Sequence, residues 1–106
     1  MSAVIVHCSC PDAQTAARIA HVLVDEQLAA CVQAISGVAS TYRWEGRVCS
    51  ETEVLLLIKT TRARLDELKA RLPALHPYAT PELIAVDAVD GLDRYLDWIE
   101  TETAPK

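Results

Sequence analysis

Two cysteines one residue apart, Cys8-Ser9-Cys10, close a short apolar run that begins Ala3-Val4-Ile5-Val6. Side chains of a strand repeat every two residues, so both thiols of such a strand point to one face. Two adjacent thiolates suit a soft metal such as Cu(I), or zinc with further ligands. The competing reading is packing: Cys8 as a small core hydrophobe and Cys10 as a helix-entry residue, since buried cysteine is ordinary. Cys31 and Cys49 fall inside longer apolar segments and read as packing residues. With no C-x-x-C pair and three histidines, the four cysteines do not form a zinc framework.

A second group of reactive types is Leu75-His76-Pro77-Tyr78-Ala79-Thr80-Pro81-Glu82. Prolines on both sides of Tyr78 restrict the backbone and limit the freedom of the unfolded loop. A histidine, a tyrosine and a glutamate on a stiff loop read either as a site wall or as a staple. In the staple, Tyr78 packs and His76 caps a carbonyl. Tyr42-Arg43-Trp44-Glu45-Gly46 puts two aromatics on one face beside a turn, where they fit an interface. Glu51 and Glu53 alternate on a strand and read as solvent-facing. His7 and His21 look incidental.

Enzyme signatures are weak. None of the three glycines builds a phosphate loop, and no serine lies in a G-x-S-x-G setting, so the chain is read as a non-enzyme. The net charge of −5 argues against nucleic acid, whose phosphates require clustered Lys and Arg. The one basic stretch, Lys59 to Arg71, is interrupted by Asp66 and Glu67. The N-terminus has no basic leader and its apolar run is too short to span a membrane. A cytoplasmic location with reduced thiols is the expectation.

The elements that must position these residues follow from periodicity. The 106 residues suit a single domain over 1–106. Residues 3–9 read as a strand buried on both faces. Pro11 fits a first helical turn with Asp12 near its positive end, and Ala16, Ile19, Ala20, Leu23 and Leu28 give a stripe. Residues 31–44 and 47–60 read as long strands around Glu45-Gly46, with a bulge at Ser36-Gly37 and Val54–Ile58 buried on both faces. Residues 61–72 read as a helix capped by Thr60 or Thr61, carrying a Glu67–Arg71 pair and ended by Pro73. Leu83 to Val89 reads as a strand, and Asp90 as the cap of a last helix with stripe Leu92, Tyr95, Leu96 and Ile99.

The order βαββαβ plus a C-terminal helix is the ferredoxin-like split βαβ arrangement, an α+β fold with an antiparallel sheet. A 14-residue strand spans about 46 Å. A globule of this size is roughly 33 Å across, from a radius of gyration near 13 Å. The hairpin therefore outruns its own domain, which predicts pairing or packing with neighbouring subunits in a closed cyclic oligomer. A composition that is 51% hydrophobic yet contains no phenylalanine agrees with apolar surface shared between chains.

His76-Pro77-Tyr78-x-Thr80-Pro81-Glu82, with Tyr42-x-Trp44-x-Gly46, Lys59-Thr60 and Leu28-Ala29-Ala30-Cys31, resembles the CutA family of divalent-cation tolerance proteins over nearly the whole chain. The resemblance implies a homotrimer with long hairpins making intersubunit sheet, and a cytoplasmic role in tolerance of copper and other divalent metals. It implies copper ligands at Cys8 and His76. Leu75 stands where some members carry a second histidine, so a third donor falls to Cys10 or a neighbouring subunit. A second reading is a trimeric sensor that takes a small, anionic molecule in an intersubunit cleft near Tyr42, Trp44, Lys59, Tyr78 and Glu82. A third is a structural scaffold without a metal function.

Overall fold

The computed structural model describes residues 3–105. Its elements are β1 (Ala3–Cys10), α1 (Ala13–Asp25), β2 (Cys31–Trp44), β3 (Arg47–Thr61), a single 3₁₀ turn, α2 (Leu65–Leu75), β4 (Ile84–Asp87) and α3 (Asp93–Glu102). The four strands form one antiparallel sheet in the order β2-β3-β1-β4. Because β3 lies between β1 and β2, the β1-α1-β2 unit is split, as the element order predicts.

The core follows strand parity. Val4, Val6, Cys8 and Cys10 of β1 alternate inward with Val54, Leu56 and Ile58 of β3. They meet Ala16, Ile19 and Leu23 of α1 and Leu68 and Leu72 of α2. The apolar runs are buried on this face alone: Ile5, Leu55 and Leu57 are half-buried on the other. That second face is covered only at one end, where α3 brings Ile99 and Leu96 onto Ala3 and Ala30.

Asp12 is the N-cap of α1; its carboxylate accepts the Thr15 N–H at 2.7 Å, which holds its carboxyl below the usual range. Pro11 thus stands outside the helix, ahead of the cap. Pro73 does not end α2, which runs on to Leu75. The hydrogen bond that Pro73 cannot donate belongs to the last turn, and its acceptor would be the carbonyl of exposed Lys69. Thr60 and Thr61 do not cap: Thr60 donates to the Leu28 carbonyl at 2.8 Å and Thr61 meets Thr103. Arg71 pairs with Glu26, the C-cap of α1, through two 2.9 Å bonds instead of with Glu67, which Arg64 takes. Tying α1 to α2 wins over the local pair because the bidentate geometry is available only there. Asp90 accepts from Gly91, and Leu92 is the N-cap of α3, which has no side-chain cap. β4 is shorter than Leu83–Val89 because its ladder with β1 covers only four residue pairs.

The hairpin turn puts Glu45 and Gly46 at φ of 50° and 78°, the left-handed pair that a two-residue turn needs. Gly37, at φ 73°, sits where the β2–β3 register shifts between Ile35 and Val38. β1 pairs with β3 only from Val54 to Thr61, so residues 38–53 form a two-stranded arm beyond the sheet. The longest dimension is accordingly 44 Å against 26 and 21 Å for the others.

Leu56 is fully buried under both helices. Leu56→Ala should cost about 3 kcal/mol in denaturant-induced unfolding, through lost burial and a residual cavity.

Candidate metal centre and the cleft beside it

β1 delivers Cys8 and Cys10, fully buried, to the helix-facing side of the sheet. α2 delivers His76: the helix ends at Leu75, whose carbonyl accepts from Arg18 at 3.0 Å, and His76 turns to an extended conformation. The His76 ring bridges two backbones. Nε2–H donates to the Ser9 carbonyl at 2.8 Å, and Nδ1 accepts the Tyr78 N–H at 3.1 Å. This pattern assigns the ring proton to Nε2. The Tyr78 ring lies 4.7 Å from the imidazole, centroid to centroid.

The sulfurs of Cys8 and Cys10 and a ring nitrogen of His76 all lie within 4.8 Å of one another, in a buried setting. The neighbouring Cys10 thiol drives the Cys8 thiol well above its ordinary range, and burial adds to this. The two thiols titrate as one coupled pair, in which the remaining thiol stabilises the first thiolate. Two sulfurs and an imidazole fit a soft ion. His76 has its Nδ1 lone pair engaged by Tyr78, so coordination there displaces that N–H.

The opposite face of the sheet carries a separate cleft of about 710 Å³. Tyr42 and Trp44 of β2, Glu51 and Glu53 of β3, and Tyr78 and Glu82 of the proline loop line it. The Tyr78 hydroxyl donates to Glu53 at 2.7 Å, and the Tyr42 hydroxyl donates to Glu51. The carboxylates favour the neutral phenols: Tyr42 is pushed up to about 12 by its bond to Glu51, and Tyr78 is raised by burial and by Glu53. Four of the five predicted cleft residues come together here. Lys59 does not: it points toward α3, where Nζ donates to the Tyr95 hydroxyl at 3.0 Å. Without Lys59 no basic residue lines the cleft among the described residues, which removes the basis for an anionic ligand.

Glu53 was missed as a site residue. It is 7% exposed, not solvent-facing, because Tyr78 folds over it. Parity carried the signal, since Glu51 and Glu53 share a face with Leu55. Ser9 was missed as well; only its carbonyl acts, and no side-chain motif announces a carbonyl.

A family model described as CutA1 divalent ion tolerance protein matches residues 4–102. The divalent-cation tolerance protein CutA of Thermus thermophilus is 44% identical over 99 residues, 93% of this chain and 96% of that relative. The chloroplastic protein CutA of Arabidopsis thaliana is 39% identical over 94% of this chain, which spans 55% of that longer relative. The crystal structure of CutA from Xylella fastidiosa matches with a TM-score of 0.94 at 46% identity, covering 97% of this chain and 99% of that one.

His76→Ala leaves the Ser9 carbonyl without its partner. The metal-free variant should lose about 1–3 kcal/mol in denaturant unfolding.

Proposed function

The chain belongs to the CutA1 family of divalent ion tolerance proteins, and we propose that it serves that tolerance by binding copper, as Cu(I), at Cys8, Cys10 and His76. The observation that carries this reading is the buried convergence of two thiols and one imidazole within 4.8 Å. Soft sulfur donors select Cu(I) over the hard divalent ions, and zinc would need a fourth ligand. When bound, the ion supplies no reaction here: the protein is a binder, not an enzyme. The chain's own part is to present the donors. β1 fixes both sulfurs on one face. The Ser9 carbonyl orients the ring of His76 through Nε2–H, as outer partners orient ligating histidines generally.

The working form we propose is a cytoplasmic homotrimer. Its support is the two-stranded arm of residues 38–53, which projects beyond the sheet with both ladder edges open. Further support is the apolar exposure on the arm and the edge strand: Trp44 at 54%, Val48 at 68% and Ile84 at 57%. No described helix is long and apolar enough to cross a membrane.

Two measurements test the reading. In Cu(I) titration against a competing chelator, Cys8→Ala and His76→Ala should each weaken binding by at least about tenfold, the loss of one donor. Unchanged affinity in both rejects these ligands. In sedimentation velocity at micromolar concentration the protein should run at three times its chain mass, and a monomer rejects the assembly.

A further inference from the structure

We propose that Tyr78 couples the metal centre to the opposite face of the sheet, so that ion binding at His76 releases Tyr78 from Glu53. The inference rests on the Cu(I) reading above and concerns how that same site is regulated.

The His76 ring has two nitrogens, and both are committed. The Ser9 carbonyl can only accept, so Nε2 carries the ring proton and donates it at 2.8 Å. The remaining lone pair, on Nδ1, accepts the Tyr78 N–H at 3.1 Å. One lone pair serves one partner. Coordination through Nδ1 therefore takes the acceptor of Tyr78 away, and the two states exclude each other.

The loss does not stay at the N–H. Tyr78 is tied to the imidazole twice, by that bond and by its ring, whose centroid lies 4.7 Å from the imidazole centroid. Pro77 stands directly before Tyr78 and Pro81 three residues after it, which denies the segment small local adjustments. Main chain and phenol therefore move together. At its far end the phenol donates to Glu53 Oε2 at 2.7 Å. Glu53 is buried and lies on β3 where the two-stranded arm joins the sheet. A change at one imidazole nitrogen is thus carried through one residue to the base of the arm. Every link is a contact within one chain, and none depends on the cleft being open.

Coupling of this kind is reciprocal. Ion binding at Nδ1 costs the Tyr78–Glu53 bond, so weakening that bond strengthens ion binding. The docked loop competes for Nδ1 and holds Cu(I) affinity below what the three donors alone supply. Tyr78→Phe keeps the ring and the N–H and deletes only the hydroxyl. Tyr42→Phe deletes the matching hydroxyl contact, to Glu51, which has no link to His76.

Cu(I) titration against a competing chelator, and amide exchange followed by NMR, test the relay. Tyr78→Phe should bind Cu(I) about tenfold more tightly than the wild type, the fold-change expected from a lost hydrogen bond to a charged group. Tyr42→Phe should bind as the wild type does. One equivalent of Cu(I) should speed exchange of the wild-type Tyr78 amide at least about tenfold. Unchanged exchange at Tyr78, in protein whose X-ray absorption places copper on an imidazole, overturns the relay and leaves the copper site standing. So does an affinity in Tyr78→Phe no tighter than that of the wild type, or a gain that Tyr42→Phe matches. Copper bound without an imidazole, or not bound at all, overturns the relay together with the site it rests on.

Discussion

The hydrogen bond from His76 Nε2 to the Ser9 carbonyl, 2.8 Å long, joins the end of the central strand to the proline loop. Both sites depend on it. On the helix side it holds the imidazole beside Cys8 and Cys10, which strand parity has already placed on one face. On the open side it sets the loop so that Tyr78, whose N–H binds Nδ1, reaches over to Glu53. One ring thus orders a donor cluster and the wall of a cleft on opposite sides of the same sheet. The two prolines flanking Tyr78 reduce what the unfolded loop loses on being fixed there.

Cys8 and Cys10 explain why the cluster tolerates burial. Thiols are weakly hydrogen-bonding and pack as small hydrophobes, so the pair can sit among Ala16, Ile19 and Leu72 with one long bond, from the Cys8 thiol to the Ser9 carbonyl. Their closeness couples the two titrations, so that the second thiol stays protonated well above its ordinary range. The staple that His76 makes and its proposed role as a ligand are therefore not rival descriptions. The bond to Ser9 orients the ring, and the bond to Tyr78 covers the lone pair until a metal takes it.

Much of this was legible in the residues. The two-residue period put both thiols on one face, and Gly37 and Glu45-Gly46 marked the bulge and turn where the backbone needs a left-handed residue. The overlong hairpin was readable from strand length alone, and the element order carried the sheet topology. What could not be read depended on distant parts of the chain. Arg71 leaves Glu67 for Glu26 because α1 lies alongside, a contact spanning 45 residues. Glu53 looks like a surface acid until Tyr78, 25 residues on, closes over it. Lys59 turns away from the cleft because α3 offers Tyr95 on the covered end of the sheet. Pro73 reads as a terminator, yet in the last turn of α2 it costs the helix a single bond.

The central claim is that β1 and the proline loop together build one soft-metal site. X-ray absorption at the copper edge, on protein loaded with one equivalent of Cu(I), tests it most directly. Two sulfurs and one imidazole nitrogen around a single copper are the predicted environment, with the imidazole signal lost in His76→Ala. A copper bound by oxygen and nitrogen alone, or an environment that His76→Ala leaves untouched, would contradict it.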